Sequence, residues 1–159
     1  QPRSRGLGDV YKRQSIGYPS QEEEIDILER YTSGARPMEE LKPICSSQDI
    51  VKLQQQVDTV YTSREVRAYI SAIAAASRRN GALQLGVSTR AAISLLRAGQ
   101  ARALLQGRDY VSPEDIQKMA EPVLAHRLVL SPEARMRNMT AQRVLANVLG
   151  SVQVPVKAR

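Results

Sequence analysis

The stretch that most constrains this chain is TRAAISLLRAGQARALLQ, residues 89–106, where apolar side chains recur at helical spacing between Ser88, a capping residue, and Gly107, a helix stop. Its periodicity predicts one long amphipathic helix with Ala92, Ile93, Leu96, Ala103 and Leu104 on the packed side. The many alanines allow close approach of neighbouring helices. With no Phe and no Trp among 159 residues, the core has to come from Leu, Ile, Val, Ala and a few Tyr, which favours packed helices. The expected fold class is therefore all-α, a small helical bundle, with room for a short two-stranded β element.

Further helices follow from start signals. Ser20 with Glu23 is a capping-box pattern ahead of Ile25, Leu28 and Tyr31, predicting a helix over 20–31. A segment containing Gly34, Pro37 and Pro43 reads as loop, with at most a short extended piece at Pro43–Cys45. Ser47 opens a polar helix to about Gln56. Thr62 with Glu65 forms a second capping-box pattern, followed by Val66, Tyr69, Ile70, Ile73 and Ala74 on one face and stopped by Asn80-Gly81. ALQLG, 82–86, reads as a linker. Ser112-Pro113-Glu114-Asp115 is a strong start for a helix to about His126, and Thr140 or Ala141 begins a last helix to Leu149. Short strands are expected at 108–111 and 128–130.

The formal charge of +7 invites a nucleic-acid reading, but residues 1–14 hold +3 of it, leaving 19 basic and 15 acidic groups over 15–159. RGLGDVYKRQ within that opening segment resembles translated adapter sequence, so residues 1–14 are expected to lie outside the fold, with one helical domain over 15–155 and a tail at 156–159. Arg78, Arg79, Arg97 and Arg102 suggest a basic face, although the interleaved aromatics of single-strand binders are missing. No apolar run nears the roughly 18 residues of a membrane span, and the first residues, QPRSRGLGDVYKRQ, lack the apolar centre of a secretory signal; cytoplasm is the expected location. Cys45, the single cysteine, rules out an internal disulfide and a thiolate cluster, and no metal site is expected. His126 reads as a capping or core histidine at a helix end.

No phosphate-binding GxxxxGK[ST] loop occurs and no Ser/His/Asp set presents itself, so no catalytic residue is assigned and the chain alone is not expected to hydrolyse anything. The informative position is Arg90, in the first turn of the helix that Ser88 caps. A cation there opposes the helix dipole by roughly 0.3–1 kcal/mol, whereas free N–H groups at the same end attract anions. Arginine and helix terminus together suit a phosphate. The plainer reading has Arg90 in solvent or paired with Glu114 or Asp115.

The whole stretch GVSTRAAISLLRAGQARALLQGRDYVSPEDIQKMAEPVLAHRL resembles the lid signature of the MoxR family of AAA+ ATPases: G-x-S-x-R-A, a long Ala/Leu helix, G-R-x-Y-V-x-P-x-D and V-L-x-H-R-L in that order. IGYPSQEEEIDILER, 16–30, resembles that family's junction between nucleotide-binding core and lid. Thr89 stands where the family often has Pro. The resemblance implies that Arg90 is the sensor-2 arginine reaching the nucleotide's phosphates, with Ser88, Ala91 and Tyr18 as weaker nucleotide contacts. It further implies that ATP and Mg²⁺ are held by a core outside this sequence, and that a chaperone-like remodelling machine couples ATP binding and hydrolysis to lid movement. The implied partners are the core itself, neighbouring subunits of a ring and a von Willebrand A-type domain protein; the residues themselves suggest no membrane partner and disfavour nucleic acid. The alternative from another class is a small basic helical nucleic-acid-binding module, suggested by the helix–turn–helix-like spacing of 88–126.

Overall fold

A computed structural model describes residues 17–32 and 41–155. The expected opening segment 1–14, the Gly34 and Pro37 part of the predicted loop and the tail 156–159 lie outside the described residues. Contacts divide the chain into two units, at Ile50/Val51, so that the span expected as one domain is shared between them.

In the first unit, α1 (Gln21–Thr32) begins at the predicted capping box: the Ser20 amide donates to Glu23 Oε2 at 2.7 Å and the Glu23 amide to Ser20 Oγ at 3.4 Å. Hydrogen bonds from the Ser20 amide and, second, the Ser20 side chain hold the Glu23 carboxyl below its ordinary pKa. Pro43–Cys45 forms a bend and no strand. Helix α2 (Ser47–Thr59), which spans the division at Ile50/Val51, starts at a reciprocal Ser46–Asp49 box and runs three residues past the expected end. No residue of α1 or α2 is buried.

The second unit carries the core. Helix α3 (Arg64–Arg79) is capped by Ser63, whose Oγ accepts from the Val66 amide. The cap expected at Thr62 is thus displaced by one residue, because Tyr61 is pinned in extended backbone by its own amide on Asp109 O (2.7 Å) and by its carbonyl on the Val111 amide (2.9 Å), carrying Thr62 past the cap position. Helices α4 (Thr89–Leu105) and α5 (Pro113–Leu124) form the most extensive helix pair. Gly99 makes this possible, since a Cβ there would lie 2.6 Å from Ile116 Cδ1. Helix α7 (Ala141–Ser151), capped by Thr140, packs on α3 and α5, and the short α6 (Pro132–Met136) precedes it. The predicted face of α3 is buried as expected. Ile73, Leu95, Ile116, Leu124 and Leu145 fill the centre, and Tyr69 is buried with its hydroxyl accepting from Gln117 Nε2 at 3.1 Å.

Three expectations need correction. In α4, Ala103 is buried as expected and Ala92, Leu96 and Leu104 pack half-buried against the core, but Ile93 is 53% exposed and the most deeply buried positions include Ala91, Leu95 and Gly99, which were not expected there. Apolar residues occur nearly all round this helix, so the stripe was set by what packs beside it rather than by side-chain size. The two-stranded sheet exists but pairs β1 (Leu83–Leu85), read from sequence as linker, with β2 (Val129–Leu130), antiparallel. Residues 108–111 supply only the Tyr110 bridge to Tyr61. Helix α5 also stops two residues early, at Leu124, where Pro122 has removed a helical donor, and continues as a 3₁₀ turn, Ala125–Arg127.

The α4–α5 connection is built around a buried carboxylate. Gly107, at φ +69°, ends α4 in a Schellman motif, with its amide on Leu104 O and the Arg108 amide on Ala103 O. The turn delivers Arg108 to Asp115, which it grips through both terminal nitrogens at 2.8 and 2.7 Å. Asp115, 1% exposed, also completes the Ser112 capping box and has Arg102 Nε at 3.3 Å. Burial alone would raise its pKa; the Arg108 bonds and those from Ser112 outweigh burial and hold the carboxyl below 3.8.

Because the folded-state pKa is depressed, this stabilisation is present above the unfolded value and lost as pH falls through the folded one. We expect Asp115→Asn to lower unfolding stability by about 3 kcal/mol at neutral pH, leaving two cations without their buried acceptor. In denaturant titrations the gap between variant and wild type should close as pH drops below 3.8.

Candidate functional site

The second unit presents Arg90 on a fixed support. The last turn of α3 and the approach to α4 are fastened at Val87: its amide donates to Ser77 Oγ at 2.9 Å and its carbonyl accepts from Arg78 Nε at 2.8 Å. Ser77 is fully buried, and its hydroxyl in turn donates to Ala74 O at 2.7 Å. Gly86 makes the approach possible, because a Cβ there would sit 2.7–2.9 Å from the Arg78 nitrogen, the Ser77 carbonyl carbon and Arg78 Cα. These are backbone atoms that cannot step aside. The glycine of the G-x-S-x-R-A pattern is therefore a close-packing requirement.

One residue beyond this clamp, Ser88 caps α4, its Oγ accepting from the Ala91 amide at 3.2 Å. Two of the three expected minor contacts, Ser88 and Ala91, are consequently engaged in the fold. Ser88 is the cap, and Ala91 has its amide on that cap and a side chain that is 0% exposed. Arg90 is exposed, and among the described residues no acid pairs with it. The plainer sequence reading had it reaching solvent or paired with Glu114 or Asp115; the exposure agrees with the first of these, and Asp115 is taken by Arg108 and Arg102. Helix α4 has no acid in its first turn, whereas α1, α3 and α5 do. The amides of Thr89 and Arg90 have no intrahelical acceptor, so a guanidinium and two N–H groups converge on one end of the helix.

Tyr18 lies in the first unit, fully exposed beside a hollow shared with Pro19, Glu23 and Ile27. His126 sits exposed in the 3₁₀ turn at the helix end, as one half of its reading had it, and not in the core; partial desolvation and the neighbouring Arg127 push its pKa down. The four arginines proposed as a basic face are not a free set, because Arg78 serves Val87 and Arg102 serves Asp115. Cys45 is exposed, and no cluster of metal-ligating side chains occurs among the described residues. None of the described helices is long and apolar enough to cross a membrane.

What the sequence reading missed is the support. Ser77 and Arg78 carry no motif, and their role emerges only when the chain ten residues on is folded against them.

Comparison with known proteins agrees with this architecture. Residues 75–148, from the last turn of α3 to α7, match the AAA lid domain family, and this part of the chain is an AAA lid domain. YeaC of Bacillus subtilis, named as an uncharacterised protein, is 39% identical over 142 residues, covering 89% of this chain and 44% of YeaC. Chaperone MoxR1 of Mycobacterium tuberculosis is 32% identical over 150 residues, covering 89% of this chain and 39% of its own length. A solved structure from Cytophaga hutchinsonii, described as a candidate ATPase, superposes with a TM-score of 0.79 at 26% identity over 95% of this chain and 49% of its own. The chain belongs to the MoxR-type AAA+ family and spans less than half the length of YeaC or MoxR1.

Gly86→Ala should destabilise the chain by roughly 1–3 kcal/mol through this clash, read as a lowered midpoint in thermal or denaturant unfolding. Gly81→Ala, at a site with nothing within 4 Å, should be close to neutral.

Proposed function

We propose that the second unit is the nucleotide-responsive lid of a larger AAA+ ATPase and that Arg90 is its sensor-2 residue, contacting the terminal phosphates of ATP. The observation carrying this reading is an exposed arginine, free of any acidic partner among the described residues, at a helix N-terminus whose position is fixed by the Val87 clamp and Gly86. A flexible arginine would lose much of its binding free energy in ordering; one held at the end of a packed helix loses less.

The lid's part in the chemistry follows from charge. While the γ-phosphate is present, Arg90 and the first-turn amides of α4 draw the lid toward the nucleotide; once that charge departs the attraction falls and the lid is released. Helices α3, α4 and α5 share one core with the clamp, so force applied at Arg90 moves the unit as a body. The ATP and Mg²⁺ belong to a nucleotide-binding core, with ring neighbours and a chaperone-like remodelling role as the wider setting. Support for that setting is the MoxR1 relationship, and the absence of a phosphate-binding loop from this sequence fits a division of labour between core and lid. Among the minor contacts, Ser88 acts indirectly by capping the helix, and Tyr18 keeps a place beside the nucleotide through its junction sequence.

In a protein joining this chain to a MoxR-type core, Arg90→Ala should reduce ATP turnover on the order of 100-fold with unfolding stability unchanged. Turnover equal to wild type would return Arg90 to an ordinary surface position.

A further inference from the structure

Charge is segregated along the chain in a way the total conceals. Residues 15–50 hold 8 acidic and 3 basic groups, while residues 51–159 hold 7 acidic and 16 basic. The contrast is sharpest over 66–108, with seven arginines and no acid at all; Glu65 is the one acid on either α3 or α4. Asp115 pairs with two of those arginines, Arg102 and Arg108, and offsets one unit of their charge. Arg67 and Arg78 are hydrogen-bonded to the backbone carbonyls of Ser63 and Val87, neutral acceptors that leave both guanidinium charges in place, and of the two only Arg67 has an acid beside it among the described residues, Glu65 on the same helix.

These two arginines line a groove of about 320 Å³ between α3 and α4, whose apolar wall includes Ile70, Ala74, Ile93 and Leu96. Ile93, 53% exposed, is a large apolar side chain that α4 turns away from the core. From Arg67 to Arg78 the α3 wall runs about 16 Å. An apolar floor with cationic walls is complementary to an amphipathic acidic helix, and less so to a nucleic-acid backbone, which offers no apolar face.

The sequence itself contains such a helix. In α1, Ile25, Leu28 and Tyr31 recur at intervals of three and are 49%, 61% and 74% exposed, while Glu22, Glu23, Glu24, Asp26 and Glu29 supply the acids. Its 12 residues span about 18 Å, the length of the groove wall. We propose that the α3–α4 groove of one copy receives α1 of a second copy, with Ile25, Leu28 and Tyr31 against Ile93 and Leu96 and the acids toward Arg67 and Arg78. This contact is independent of the nucleotide reading, and no part of it uses Arg90.

Sedimentation velocity of the full 159-residue chain at about 100 μM tests it, a concentration suited to a micromolar contact. Wild type should self-associate. Ile93→Glu and Leu28→Glu, both at exposed positions, should each sediment as monomers with unchanged circular dichroism, and mixing the two should restore association, since one keeps an intact α1 and the other an intact groove. A monomeric wild type, self-association untouched by either substitution, or a mixture that stays monomeric would each overturn the proposal.

Discussion

The two hydrogen bonds on Val87 decide where the rest of the site can be. They tie the strand-to-helix approach to the last turn of α3 from both sides, amide and carbonyl, and Ser77 reaches the amide because it is wholly buried beneath it. Gly86 is the condition for that closeness. Once Val87 is fixed, Ser88 falls at the cap position and Arg90 in the first turn of α4. A residue suited to a phosphate is thus aimed by residues that touch no ligand.

Asp115 performs the matching task at the other end of α4. The Schellman turn at Gly107 sends Arg108 back over the start of α5, where a buried carboxylate serves as helix cap and ion-pair partner together. Charges of this kind are costly to bury and stay buried only when their hydrogen bonds are complete. Asp115 meets that condition through Arg108 and Ser112. Helix α4 is consequently anchored at both termini, by the Val87 bonds at its start and by the Arg108–Asp115 pair at its end.

Much of this was legible in the residues. The caps at Ser20, Ser88 and Ser112 and the stop at Gly107 rest on local chemistry, and each is present as read. The apolar face of α3 was legible because polar residues separate its apolar positions. That of α4 was not: with Ala and Leu nearly all round, periodicity cannot rank Ala91 and Leu95 above Ile93, and small residues prevailed where α5 comes closest. The strand Leu83–Leu85 is too short to carry a period, and only its pairing with Val129–Leu130 defines it. Arg108 and Asp115, seven residues apart across a turn, meet through backbone geometry that spacing alone does not reveal. The position of Arg90 was legible through the motif, while the reason for its placement lay in Ser77 and Arg78, which no motif marks.

A sensor of the terminal phosphate must distinguish ATP from ADP, and that discrimination is the most direct measurement. In a protein joining this chain to its nucleotide-binding core, ATP and ADP affinities should be measured by calorimetry with Arg90 intact and with Arg90→Ala. The predicted result is a loss of roughly tenfold or more for ATP with ADP affinity nearly unchanged, as expected for a charge-assisted contact of about 1.5–3 kcal/mol made to the γ-phosphate. Equal weakening of both nucleotides, or of neither, would contradict the assignment of Arg90 as the phosphate sensor.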